Sequence, residues 1–293
     1  MKFFRKTMWG AVLACSAAVV QAVPVLFSAA GSNASAIQGT VDAFRTSLGT
    51  LNLNVAGSFG SGRREINWDG VPDALSAPNN LPANFFNVNS PRGAVFSTPG
   101  TGFQVSANNG VAPVEFGNIN ASYPALFTTF SPQRLFTALG SNIVDVNFFI
   151  PGSSTAALTS GFGSVFTDVD LPDTTSIEFF NVSNASLGRF FVPRATGNET
   201  LSFLGVRFDQ GSVVSRVRIT SGNQILGGSE VNDLVVMDDF IYGEPVLAAQ
   251  LLSETMGGLL MLSGLAGLAG AAAIRRRRER EMQRPTAASA RPT

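Results

Sequence analysis

The stretch Ile143-Val144-Asp145-Val146-Asn147-Phe148-Phe149-Ile150 alternates apolar and polar side chains with a period of two. Val144, Val146, Phe148 and Ile150 fall on one face and Asp145 and Asn147 on the other, the pattern of a strand in an antiparallel sheet with one wetted side. Val213–Thr220 reads the same way, with Val213, Ser215, Val217 and Ile219 inward and Arg216 and Arg218 outward. Around these two lie further runs rich in Val, Ile, Phe and Thr, separated by clusters of Gly, Pro, Asn and Asp. They are Gly163–Val169, Ser176–Val182, Leu187–Val192, Leu201–Phe208 and Leu234–Tyr242. Weaker ones fall at Arg64–Trp68, Ala94–Thr98, Gly102–Ser106, Val114–Gly117 and Gln133–Leu139. Many short strands without helices between them predict an all-β domain, a single two-sheet sandwich over residues 49–245 with a jelly roll as the preferred topology. A short helix precedes it in residues 23–48, because Ile37, Val41, Phe44 and Leu48 recur at helical spacing within Ala34–Leu48.

Composition narrows the chemistry. The chain has 293 residues, 14% of them charged, with one Cys and no His. Without His there is no Ser-His-Asp triad and no imidazole metal ligand, and one Cys makes no internal disulfide. Phe is used 24 times against two Tyr and two Trp, which suits a core that needs large apolar side chains with no polar atom to satisfy. The net charge of zero conceals unlike regions. Lys2, Arg5 and Lys6 make the start basic, residues 23–245 hold ten Arg against seventeen acidic residues, and the remainder holds seven Arg against three Glu. An acidic middle without Lys has neither the electrostatic footprint of a nucleic-acid binder nor the lysine of a phosphate-cradling loop.

The ends read as membrane signals. Residues 1–22 combine a basic start, an apolar run from Met8 to Val20 and the small-residue pattern Val20-Gln21-Ala22, which predicts a secretory signal peptide cut after Ala22. A retained anchor and a lipid-modified Cys15 are the alternatives. After a linker at residues 246–254, residues 255–274 are uncharged and long enough to span a bilayer as a helix. Arg275, Arg276, Arg277 and Arg278 follow at once and place the tail, residues 275–293, in the cytoplasm. Glu254 before Gly257, Gly258, the apolar helix and the arginine cluster resembles the C-terminal cassette of bacterial PEP-CTERM proteins, with Ser253 and Thr255 where that family carries two prolines. The resemblance implies an exported protein handed to a sorting protease of the exosortase type. Gly257-Gly258 also resembles the cassettes cut by rhomboid-like proteases. The segment Trp68-Asp69-Gly70-Val71-Pro72-Asp73 resembles one found in uncharacterised exported bacterial proteins with a β-rich remainder, which implies fold and export but no chemistry.

Three groups of residues could carry chemistry. Calcium takes oxygen ligands, and acidic clusters lie at Asp69 and Asp73 beside Asn67, at Asp168, Asp170 and Asp173, and at Asn232, Asp233, Asp238 and Asp239. Strict alternation along Leu234–Tyr242 places Asp238 and Asp239 on opposite faces, so without a bulge one carboxylate sits on an apolar face. That carboxylate needs an ion, Arg63 or Arg64 as partner. Asp69, Asp73 and Asp239 are the preferred ligands for a structural calcium ion. Trp68, the only Trp left after signal removal, is either core or a stacking platform for a sugar ring, with Asn79 and Asn80 offering hydrogen bonds. Glu115 and Glu178 are the candidates, by position only, for a glycosidase pair. The expectation is a non-catalytic exported protein of the cell surface or extracellular matrix, at least transiently anchored in the membrane and associated with polysaccharide. The alternatives are a glycan-active hydrolase and a purely structural surface protein.

Overall fold

A computed structural model describes residues 22–228 and 232–248. The described chain forms twelve strands: β1 (Pro24–Gly31), β2 (Arg63–Ile66), β3 (Ala94–Ser97), β4 (Gly102–Val105), β5 (Phe136–Leu139), β6 (Ile143–Phe148), β7 (Gly161–Thr167), β8 (Ser176–Phe180), β9 (Ser186–Phe191), β10 (Leu201–Phe208), β11 (Arg216–Thr220) and β12 (Val236–Gly243). Helix α1 spans Ala34–Leu48 and the single turn α2 spans Phe85–Val88. The strands make two antiparallel sheets packed as a sandwich. The larger runs β1-β10-β7-β12-β5-β4, with β2 also on β12, and the smaller runs β3-β6-β11-β8-β9. Within these, β5 to β12 fall in the orders β5-β12-β7-β10 and β6-β11-β8-β9, so every link among them except β8–β9 crosses from one sheet to the other.

Strand β6 has the expected faces: Val144, Val146 and Phe148 are buried, and Ile143, Asp145 and Asn147 are half-buried. Strand β11 keeps the pattern only from Arg216 onward. Val214, rather than Val213, is buried, because that residue leaves the ladder to bridge Thr159. Val114–Gly117 is not a strand. Glu115 and Phe116 have φ of 48° and 61°, left-handed values that no ladder accommodates.

The inner core is aromatic. Trp68 stacks on Phe136 with ring centroids 4.1 Å apart and meets Phe86, Phe96 and Phe240 at other angles. Each such ring stabilises the fold by about 1.5–3 kcal/mol on burial. The outer face of the larger sheet is covered as well. The α1 residues Ile37, Val41, Phe44 and Leu48, the four expected to face inward, pack on Val165, Leu201, Phe203 and Ile241. Asn33 caps the helix by accepting a hydrogen bond from the Ala36 N–H at 3.2 Å. The ring of Phe44 occupies a slot that exists because the paired residues Gly163 and Gly205 lack side chains: a Cβ on either would come within 2.8 Å of it. A third cluster, Phe116, Tyr123, Phe127, Leu135, Leu234 and Val236, closes the rest. Strands β7 and β12 are therefore buried on both faces.

Candidate functional site

The site forms where β12 bulges. Met237 pairs with Phe166 and Phe240 with Ser164, so three steps on β12 match two on β7. One residue is extra, the definition of a β-bulge. Met237 and Phe240 both belong to the inner core, which leaves Asp238 and Asp239 together on the outer side. The opposite-face placement expected from strict alternation does not hold, because the bulge breaks the period at these two residues.

Both carboxylates turn to Ser131. Asp238 accepts from the Phe130 N–H at 2.6 Å and the Ser131 N–H at 3.1 Å. Asp239 accepts from the Ser131 hydroxyl at 2.7 Å and from Arg45 Nη2 at 3.0 Å. Arg45, in the last turn of α1, also grips both oxygens of Glu65 on β2, at 3.2 Å each from Nε and 3.0 Å from Nη2. Arg63 adds a 2.7 Å bond to Glu65. Burial, then the charge of Asp239, pushes the Asp238 carboxyl well above its ordinary range. Burial pushes Asp239 up too, opposed by Ser131 and Arg45. The partner expected for the buried carboxylate is an ion, Arg63 or Arg64; the cation that meets Asp239 in the structure is Arg45. Arg64 instead makes a buried pair with Glu244 at 2.6 Å and holds the carbonyls of Leu53, Gly57 and Pro91.

Beside this network opens a cavity of about 270 Å³, lined by Arg45, Leu51, Asn54, Glu65, Asn67, Arg92, Ser131 and Asp239. Arg92 lies over the ring of Phe86 and donates to the Glu65 carbonyl at 2.8 Å. Burial lowers the pKa of its guanidinium. The wall thus offers amides, a hydroxyl and a guanidinium plane, with its carboxylates already matched by cations.

The residues singled out in the sequence fall as follows. Trp68 is buried at 1% exposure and donates its indole N–H to the Asp238 carbonyl at 3.0 Å. Its faces are covered by phenylalanines, so it is core and no open platform for a sugar. Asn79 and Asn80 lie on an exposed loop beside β4, and the structure does not join them to Trp68 as a site. Asp69, Asp73 and Asp239 do not converge. Asp69 accepts from the Gln133 N–H at 2.6 Å, Asp73 from Arg134 at 2.6 Å and Asp239 from Ser131. The three grip one segment, Ser131 to Arg134, from three places. Each already accepts from an N–H, O–H or guanidinium donor, and among the described residues no group of three or more acidic side chains is arranged to hold a metal. The structure does not bring the three to one calcium site.

Glu115 has Glu199, not Glu178, as its charged neighbour. Burial and then Glu199 raise the Glu115 carboxyl to about 7. Glu178 lies on β8, held by Arg189 at 2.7 Å and Ser186 at 2.9 Å. Glu254, Gly257, Gly258, Arg275, Arg276, Arg277 and Arg278, like the predicted signal peptide and membrane helix, lie outside the described residues. Among those described, no helix is long and apolar enough to cross a membrane. Arg45, Glu65, Arg92 and Ser131 escaped the sequence reading. The one available signal was the alternating Arg63-Arg64-Glu65-Ile66, which places Glu65 outward and Arg64 inward.

No family model and no characterised protein matches the sequence. A solved structure of the enzymatically active domain of tailspike protein 4 from bacteriophage CBA120 is similar over 59% of this chain and 22% of that one, at 14% identity and a TM-score of 0.26. The chain thus spans about a fifth of that structure, and a likeness of this size carries no argument about fold or activity.

Proposed function

We propose that this chain is a non-catalytic exported protein of the cell surface or matrix, that its sandwich is a jelly roll, and that it binds polysaccharide in the cavity between α1, β2 and the β12 bulge. The strand orders of β5 to β12 and their sheet-to-sheet links support the jelly roll. The observation that carries the binding reading is the charge balance of the cavity wall: Glu65 and Asp239 share Arg45, and Arg92 makes two cations against two carboxylates. Such a lining has polar groups in Asn54, Asn67 and Arg92 but no net charge to attract an ion. Neutral hydroxyl-rich ligands match it better than phosphates or metals. Carboxylates tied to a guanidinium are poor general acids and nucleophiles, which favours binding over hydrolysis. Residues 1–22 as a leader and 255–274 as an anchor or sorting helix of PEP-CTERM type complete the reading from the sequence.

The test is retention of the full chain on a panel of immobilised neutral and acidic polysaccharides. Asn54→Ala with Asn67→Ala, both exposed, is expected to abolish retention while leaving the melting temperature unchanged. Retention that survives this pair moves the site elsewhere. No retention by folded wild-type chain favours a structural surface role, and release of reducing ends favours the hydrolase.

A further inference from the structure

The backbone nitrogen of Val23 faces two acceptors at once. It lies 3.0 Å from Oδ1 of Asp209 and 2.8 Å from Oε1 of Gln210. The Val23 carbonyl in turn accepts from the Asp209 N–H at 3.2 Å. Immediately beyond, Pro24 pairs with Phe208 and the β1–β10 ladder runs unbroken to Gly31 and Leu201. A peptide nitrogen has one hydrogen and no charge, so between two acceptors it shares that hydrogen and meets a carboxylate without offsetting its charge. An α-ammonium has three hydrogens and a positive charge, and it satisfies both acceptors with charge-assisted bonds. Val23 is also the residue that signal removal after Ala22 would make the first of the chain.

We infer that Asp209 and Gln210 form a clasp for the new α-ammonium of Val23, made when water hydrolyses the Ala22–Val23 bond. This rests on the export reading above. In the reaction, catalysed by a signal peptidase at the membrane, the Ala22 carbonyl carbon gains the water oxygen and leaves as a carboxylate. The Val23 nitrogen takes up both protons of that water and becomes an ammonium. The clasp then closes the outer edge of the larger sheet, since β1 is its terminal strand and α1 follows directly from it. Ala22 touches the inner core, a contact that the uncut chain keeps and the cut chain exchanges for the ion pair. The clasped end also lies where the chain leaves toward its C-terminal segment. Phe208 N–H donates to the Ser160 carbonyl at 2.8 Å, and the hydroxyl of the adjacent Thr159 donates to the Gly243 carbonyl at 2.7 Å.

The composition makes the test direct. The only lysines are Lys2 and Lys6, so a chain that begins at Val23 has a single primary amine, its own terminus. The full chain is expressed with its leader in an exporting bacterium, and the surface form is isolated, sequenced from its N-terminus and acetylated with an N-hydroxysuccinimide ester. The expected result is a chain starting at Val23 that takes one acetyl group, about two- to fivefold more slowly than the Asp209→Asn, Gln210→Ala variant, the effect of a surface ion pair. The difference vanishes in urea. A chain that starts elsewhere, including at Met1, overturns both the processing site and the clasp. A chain that starts at Val23 but is acetylated at the variant's rate overturns the clasp alone. Both substituted residues lie outside the cavity, so retention on polysaccharide reports the binding reading independently.

Discussion

Asp239 on β12 and Arg45 on α1, 194 positions apart in the chain, meet at 3.0 Å. The contact fastens the helix to the middle of the larger sheet and, through Glu65, to β2. It is the hinge between the fold and the candidate site, because the same three side chains line the cavity.

Arg45→Met therefore leaves Asp239 without a cation and Glu65 with Arg63 alone, while keeping the apolar stem. The expected cost at pH 7 is about 2–3 kcal/mol, below the ~3–5 of breaking a fully buried pair, because water reaches part of the guanidinium. Urea denaturation measures it. Lowering the pH toward 4 protonates these carboxylates and shrinks the loss, and adding Asp239→Asn recovers part of it at pH 7. A loss equal at both pH values would mean that Arg45 acts through packing and not charge.

The slot for Phe44 makes a second prediction. In Gly205→Ala the new Cβ meets the Phe44 ring at 2.8 Å and the Phe203 ring at 2.9 Å. The neighbours are large and held by α1 and β10, so the overpacking costs about 1–3 kcal/mol. Phe44→Leu in the same chain relieves part of the clash. Thermal melting of the single and double variants tests this, and two losses that simply add would show that the slot is looser than the contacts indicate.

How much of this was legible depends on which faces were wet. Strand β6 and helix α1 present one apolar side each, and their periods mark both correctly. Strands β7 and β12 are covered on both sides, β12 by the inner core, α1 and the Tyr123–Phe127 segment, so alternation carries no information there. The bulge at Asp238 is invisible for the same reason. Strict alternation singled out the two adjacent aspartates, since without a bulge it puts one of them on an apolar face, but the bulge at Met237–Phe240 voids that argument. Sequence could not supply Arg45, because the pairing joins residues whose proximity is created only by the α1–sheet contact. Trp68 was misplaced among ligand residues because a Gly- and Pro-rich loop surrounds it in sequence while phenylalanines surround it in space.

Stability should fall as the pH rises from about 4 to about 7. Burial, then the charges of Asp170 and Asp233, raises the Asp168 carboxyl to about 7, and one of its oxygens has no hydrogen-bond partner. Glu115 is raised to about 7 as well. For an acid whose pKa is higher folded than unfolded, the folded state holds the extra proton in between. The contribution is complete below about pH 4 and is lost as pH rises through about 7. Asp168→Asn keeps the shape, tolerates the left-handed backbone at φ 68°, and removes the charge. It should raise the melting temperature at pH 8 by about 2–4 °C and leave it unchanged at pH 4. A variant less stable at pH 8 would show that the ionised carboxylate is held by something that stabilises it.

Calcium should do little. Each aspartate expected to bind it already has a donor: the Gln133 N–H for Asp69, Arg134 for Asp73, Ser131 and Arg45 for Asp239. A cation would have to displace these donors and bring together carboxylates that hold three different positions on one segment. An extracellular calcium site with a dissociation constant of about 0.1 mM would, at about 10 mM calcium, stabilise the fold by about 2.7 kcal/mol. For a domain of this size that is a rise of about 5–10 °C in melting temperature. The expected shift is under about 1 °C, with or without a chelator. Asp73→Ala should cost stability equally in both conditions, since what it loses is the buried guanidinium contact to Arg134 and not an ion. A calcium-dependent rise, abolished by Asp73→Ala, would mean that the Ser131–Arg134 segment opens to let the carboxylates converge.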